Sequence, residues 1–299
     1  MTIFLQLVVS GLSLGAIYAL VALGFVVVFK ATDVFNLAQG ALVAVGALIV
    51  FWLGPLGLGA PFYLAVLGGA LVMAAFGLVL ERFVLRRMFG KPLYSTLILT
   101  LALATVLQAV FERVVGPINQ ALGDPLSDRN FRVGGVVIDS VDIRTIAVAL
   151  VAVAVFFVFF QKTTFGVAMR ATAADQEAAT AMGISSRRVA GAAWAISGVL
   201  ATLAGVSVAA QPPYLYAELP LIAFLAIPAA ILGGLDSPAG AVVGGFIIGI
   251  VQALIGYYAA EYASWLGPNF GVLAPYLVMF FVMLVRPHGL FGTPEVRRL

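Results

Sequence analysis

The amino-acid sequence predicts an all-α fold, a polytopic transmembrane helical bundle of about eight to nine spans with broken helices and a cytoplasmic coupling helix. Three observations predict it. Mean hydropathy is +1.13, and 63% of the 299 residues are hydrophobic against 10% charged. Uncharged apolar stretches, close to the ~20 residues that cross a bilayer as a helix, recur from end to end. The charged residues fall between those stretches, where membrane topology places them.

The first span is MTIFLQLVVSGLSLGAIYALVALGFVVVF. It lacks the basic start of a secretory signal and its apolar run is too long for one, so it is read as retained. Lys30-Ala-Thr-Asp33-Val-Phe-Asn36 then interrupts the pattern. Two readings follow from that interruption: a loop gives nine spans with the amino terminus outside, and a break inside the membrane gives eight with the amino terminus inside. Further apolar segments lie at 37–53, 62–80, 93–111, 145–160, 191–209, 221–234, 239–258 and 270–285, all free of Asp, Glu, Lys and Arg.

The basic residues set the orientation. Segments 81–92 and 161–190 and the tail from Arg286 hold eleven of the sixteen lysines and arginines, whereas 112–144 balances Arg113, Arg129, Arg132 and Arg144 against five acids. The positive-inside rule places the first three in the cytoplasm and 112–144 outside. The sequence pI near 9.3 is therefore a matter of topology and not of nucleic-acid binding, because the basic residues are dispersed over separate loops.

Catalytic chemistry is excluded by inventory. There is no cysteine, and His288 is the only histidine, which excludes thiolate chemistry and leaves too few ligands for zinc or haem. The Walker, H-E-x-x-H and G-x-S-x-G patterns are absent, so the chain reads as a transport subunit with no ATPase site, catalytic residue, metal or cofactor of its own. Charge-free spans also lack the intramembrane carboxylates that drive proton coupling.

Two stretches align at an offset of 200: Asn36-Leu-Ala-Gln39-Gly40-Ala41-Leu-Val43 and Asp236-Ser-Pro-Ala-Gly240-Ala241-Val-Val243. Paired interruptions of this kind mark broken helices whose freed backbone groups line a solute path. Asn36, Gln39, Gly40, Asp236 and Gly240 are accordingly candidate path residues. Small residues at three- or four-residue spacing, Gly11/Gly15/Ala19, Gly191/Ala195/Gly198 and Gly245/Gly249/Ala253, are expected to serve close packing within one bundle.

One passage is unlike the rest. DQEAATAMGISSRRVAGAAW, residues 175–194, packs two acids and two arginines beside alanines. Thr172-Ala-Ala-Asp175 fits a capping pattern and Gly183 suits a helix end, predicting a helix of about ten residues over 172–183 between two spans. Its small side chains suit a partner's cleft. The candidate coupling residues are Asp175, Glu177, Ala178, Ala179, Met182 and Gly183.

These residues carry a resemblance. MRATAADQEAATAMGISSRR is similar to the coupling segment of the LivH family, the permeases of bacterial branched-chain amino acid ABC importers. The similarity continues through Gly15-Ala-Ile-Tyr18-Ala-Leu, Asn36-Leu-Ala-Gln-Gly40, Glu81-Arg82, Ala230-Ile-Leu-Gly-Gly234, Pro238-Ala-Gly240 and Arg286-Pro-His-Gly-Leu-Phe-Gly292, and Gly234 joins the candidate path residues. The resemblance implies a single permease domain over 1–299 in the inner membrane. Its implied partners are a LivM-like second permease, two ATP-binding cassette subunits and a periplasmic solute-binding protein.

The resemblance also implies that ATP-driven closure pushes on 172–183 and tilts the spans on either side. The 112–144 loop and Pro212–Glu218 are the expected receivers of the binding protein. Many family members carry histidine where this chain has Gln39 and an acid where it has Ala41, and related permeases take urea or short amides, which leaves the cargo open. A self-contained carrier or channel is the rival class.

Overall fold

The computed structural model describes residues 2–88, 91–116, 120–125, 130–133, 136–211, 213–267 and 269–292. Nine apolar helices are present among them: α1 (Thr2–Thr32), α2 (Gln39–Leu53), α3 (Phe62–Phe83), α4 (Leu93–Val115), α5 (Ser140–Lys162), α8 (Ser186–Val208), α9 (Ile222–Gly233), α10 (Pro238–Tyr262) and α11 (Phe270–Val285). Two short helices, α6 (Thr164–Ala174) and α7 (Gln176–Ala181), connect α5 to α8. Six of the apolar helices (α1, α3, α4, α5, α8 and α10) are long enough to cross a bilayer unaided, and α2, α9 and α11 are shorter.

α1 is the central post, buried along almost its whole length from Gly11 to Val28. It packs antiparallel to α10 through the small-residue stripes. A Cβ on Gly249 would fall 2.2 Å from the Gly15 nitrogen, and one on Gly245 would fall 2.5 Å from the Ala19 nitrogen. Backbones can approach this closely only because side chains are missing there. Tyr18 donates to Gln252 Oε1 across the same seam at 2.7 Å. On the other side α3 and α8 interlock, Gly77 against the Trp194 carbonyl and Gly198 against that of Met73.

The two ends of the bundle are chemically distinct. At one end Met88 and Lys91 share a cavity with Gln176, while Arg170 shares another with Phe291, so the described parts of all three basic segments converge. At the other end β1 (Gln120–Ala121) pairs with β4 (Tyr214–Leu215), and Gln211 donates to Asp142 Oδ1 at 2.5 Å. A hairpin of β2 (Asn130–Val133) and β3 (Val136–Asp139) lies between α4 and α5. A buried ion pair, Arg144 to Asp124, ties the same end together, with the guanidinium over the Phe62 ring. The two loops expected to face outward are thus joined by backbone pairing.

The Lys30–Asn36 interruption proves to be a reversal. α1 ends at Thr32, Asp33 takes a left-handed φ of 53°, and the chain climbs back beside α1 so that Phe35 stacks on Phe25 at 4.9 Å. α2 begins next to Gly24. The chain therefore reverses at the inner end and enters α2 within the bundle, which agrees with the reading of this segment as a loop and not with the eight-span reading: among the described residues nine apolar helices alternate in direction, and α1 starts at the end opposite 81–92. Asp128, in the outward loop, lies outside the described residues. Cysteines replacing Lys91 and Asn130 should label with an impermeant maleimide from opposite faces of sealed vesicles, and labelling of both from one face would overturn this orientation.

The helix expected over 172–183 is corrected by the structure. Thr172 sits inside α6, its hydroxyl bonded back to the Ala168 carbonyl at 2.9 Å. Asp175, in extended conformation, ends α6 and caps α7, accepting from the Ala178 amide at 2.9 Å. The cap lies three residues later than the sequence pattern suggested because α6 is already running from its own cap at Thr163. Gly183 turns the chain with φ 86°. Ser185 occupies the start of α8 without a side-chain cap bond.

Candidate translocation path and coupling surface

α2 has fifteen residues, and at 1.5 Å per residue it is only about 22 Å long. It is too short for a hydrocarbon core of about 30 Å, so its first turn lies within the bundle. That turn is built from Asn36, Gln39 and Gly40. Asn36 Oδ1 accepts from the Ala38 amide at 3.1 Å and Asn36 Nδ2 donates to Gln39 Oε1 at 3.1 Å. Ser197 of α8 donates to the same oxygen at 2.7 Å. Gln39 Nε2, lying on Gly24, has no partner among the described residues. The amide carbonyl thus pins the start of α2 to the centre of α8.

α9 is the complementary half-helix. It begins through a tight turn at Leu219–Leu221, with proline in the first turn, where its missing amide hydrogen costs no helical bond. It runs from the start of α2 to the inner end and stops at Gly234, φ 102°. The carbonyls of Leu232 and Gly233 are taken up by the amides of Leu290 and Phe291, at 2.8 and 3.1 Å. The inner end of α9 is therefore stitched by the chain's carboxyl-terminal segment, which supplies donors that a helix end otherwise lacks.

The two half-helices meet start to start at Gly40. A Cβ there would lie 2.1 Å from the Pro220 carbonyl and 2.8 Å from the Ala223 Cβ. Beside this meeting point is a cavity of about 300 Å³ lined by Phe25, Leu37, Gly40, Thr105, Pro220 and Phe224, among others. Its walls are largely apolar. The first-turn amides of α2 have no intrahelical acceptor, and no side chain caps them. The uncapped start of α2 gives this place a partial positive potential within an apolar surround, while the amides at the start of α9 are taken up by the turn that precedes it.

The structure brings the candidate path residues together as two groups and not as one. Gly234, Asp236 and Gly240 sit at the inner end, where Gly240 packs on Gly233 and Phe291 and the Asp236 carbonyl accepts from Lys30 Nζ at 2.6 Å. Gln39 lies on Gly24 and Asp236 meets Lys30, six residues along α1, or about 9 Å. The sequence offset therefore aligns a helix start inside the bundle with a helix start at its inner end. Pro220, Ala223, Ser197 and Lys30, which complete these contacts, were not singled out by the sequence reading. Only Lys30, the charge that opens the 30–36 interruption, carried a signal in the sequence.

The coupling residues share one projection. Asp175, Glu177, Ala178 and Gly183 are exposed, Met182 is 83% exposed, and Ala179 alone is buried, at 5%. Ala179 holds α7 to the bundle while Ala178 and Met182 face away from it. An exposed methionine beside alanine on an otherwise short, capped element forms a small adaptable apolar contact surface.

A polytopic bundle with half-helices meeting at an apolar cavity, and a capped projection at its basic end, defines a membrane permease. The chain belongs to the family described as branched-chain amino acid transport system / permease component, whose model matches residues 7–285. It is 30% identical to the high-affinity branched-chain amino acid transport system permease protein LivH of Escherichia coli (strain K12), over 99% of this chain and 98% of the relative. It is also 30% identical to the probable branched-chain amino acid transport permease protein LivH of Methanocaldococcus jannaschii, over 91% and 88%. Among solved structures it resembles a chain of PsaBC from Streptococcus pneumoniae in complex with Fab, with TM-score 0.53, 17% identity, and coverage of 95% of this chain and 92% of that one. That likeness concerns the fold. The protein is a multi-pass inner-membrane permease subunit.

Proposed function

We propose that this chain is the single-domain permease of an ABC importer that carries branched-chain amino acids, or closely related small amino acids and amides, inward. A LivM-like permease pairs with it, two ATP-binding cassette subunits dock at Asp175–Gly183, and a periplasmic binding protein docks on the outer end joined by β1 and β4. The observation that carries the reading is the meeting of α2 and α9 at Gly40 beside the apolar cavity. An aliphatic side chain fits the walls and a carboxylate suits the uncapped start of α2. The names of the relatives support the substrate class.

ATP-driven closure presses on α7, and α5 and α8, joined to it through α6 and Gly183, rock against the α1–α10 pair. That rocking exposes the α2–α9 junction to one face and then the other. Solute selection rests chiefly with the binding protein. The test is uptake of labelled leucine, isoleucine and valine by proteoliposomes. Uptake is expected only with all partner subunits and ATP present. Uptake by the purified chain alone would replace the reading with a self-contained carrier or channel, and preferential uptake of urea or acetamide would assign the cargo to amides.

A further inference from the structure

The inner end of the bundle carries a second, larger hollow, which has Asp236 on its wall and shares no lining residue with the cavity at the α2–α9 junction. It is a groove of about 780 Å³ between the end of α1, the end of α5, α6 and the start of α10. Four charged residues line it: Lys30 and Arg170, Asp33 and Asp236. Phe29, Phe157, Phe160 and Phe291 supply apolar wall. The lining is charge-balanced but not saturated. Lys30 Nζ and the Arg170 guanidinium both sit over the Phe160 ring, 6.0 and 5.4 Å from its centroid.

Lys30 gives one hydrogen bond to the Asp236 carbonyl, and Arg170 gives one to the Phe160 carbonyl. An ammonium has three donors and a guanidinium five, so both keep donors to spare. Asp33 lines both this groove and the neighbouring cavity, and its carboxylate has no hydrogen-bond or ion-pair partner among the described residues. Spare cationic donors, an open carboxylate and aromatic walls complement a small molecule that bears an anion, a cation and an aliphatic group.

We propose that this groove is a cytoplasmic-side binding site for a zwitterionic aliphatic α-amino acid, and that its occupancy slows the transporter. The proposal rests on the solute class assigned above. The carboxylate is held by Lys30 and Arg170, the ammonium by Asp33, and the side chain by the phenylalanines. Regulation follows from position. α6 forms one wall through Arg170, Ala173 and Ala174, and its last residue precedes Asp175, the cap of α7. A ligand bridging α1 and α6 pins the element that must move when the ATPases close.

The experiment uses the complete transporter in nanodiscs, where both faces are open, with saturating solute-loaded binding protein and a titration of free L-leucine. ATP hydrolysis by the wild type is expected to fall about fivefold or more, the lower end of ordinary coupling between two sites. 4-Methylpentanoate, which lacks the ammonium, and 3-methylbutylamine, which lacks the carboxylate, should not inhibit. Asp33→Asn and Arg170→Gln, which remove the groups that hold the ammonium and the carboxylate, should each raise the leucine concentration needed for inhibition by about fivefold or more with the ATPases still bound.

Undiminished inhibition in both Asp33→Asn and Arg170→Gln, or equal inhibition by 4-methylpentanoate, overturns the proposal. So does a rate that follows the phosphatidylethanolamine content of the discs and ignores leucine, which assigns the groove to a lipid headgroup. A wild type that takes up leucine without any inhibition sinks this inference and leaves the transport reading standing. Failure of leucine uptake itself sinks the transport reading.

Discussion

Ala178→Trp should give a permease that inserts, pairs with its partner subunit and retains neither ATPase through purification. Solute-stimulated ATP hydrolysis and uptake should both fall to background. The side chain of Ala178 is exposed while its neighbour Ala179 is buried against the bundle, so an indole at 178 projects outward and leaves the attachment of α7 intact. It holds a docking cleft open, and every atom pair separated by even an ångström beyond contact loses much of its dispersion energy. Glu177→Ala should do little by comparison, since an exposed ion pair contributes only about 0–1 kcal/mol. Co-purification of both ATPases with Ala178→Trp at wild-type hydrolysis would return α7 to the role of a solvated connector. Ala179→Trp is the contrasting variant: its side chain drives into the bundle, so the permease itself should lose thermal stability.

Gly40→Leu should abolish uptake, with the assembled complex still recoverable. Even the first carbon of a side chain would lie 2.1 Å from the Pro220 carbonyl, so α2 and α9 must separate at their junction. Overpacking of this kind costs about 1–3 kcal/mol, which a bundle held by the α1–α10 and α3–α8 seams can absorb without unfolding. The loss should therefore appear in transport and solute-stimulated hydrolysis more than in expression. Gly40→Ala should be intermediate, since its single methyl meets the same carbonyl. Uptake by Gly40→Leu at the wild-type rate would show that the junction neither lines nor shapes the route.

The nine apolar helices were legible from charge-free runs alone, because a bilayer leaves so few ways to satisfy a backbone. The small-residue stripes were legible for a similar reason: glycine at four-residue spacing marks where a helix admits another backbone. What escaped was set by tertiary contact. Thr172 and Asp175 are both plausible caps in isolation, and only the presence of α6, running in from Thr163, decides between them. The Gly40–Pro220 meeting joins residues 180 apart in the sequence, with no local pattern that could announce it. The offset of 200 was a true likeness of helix starts, and a poor guide to depth, because depth depends on where the neighbouring helices stop. Ser197 gave no warning, since a lone serine in a span is ordinary until an amide such as that of Gln39 is placed against it.

The antiparallel seam between α1 and α10 has a consequence for how the protein is made. α1 is the most deeply buried of the membrane-length helices among the described residues, and it leaves the ribosome well before α10, the partner that covers Gly11 and Gly15. Tyr18 and Gln252 are 234 residues apart, so at the ordinary pace of about 5–20 residues per second α1 waits roughly 10–50 s for α10. During that interval a helix shaped to touch protein on most sides is surrounded by lipid or by the insertion machinery. Its freedom from charge up to Lys30 lets it rest there without penalty. Synthesis thus stores the core of the molecule in the bilayer as an unpaired post, and folding is completed when the chain returns to it.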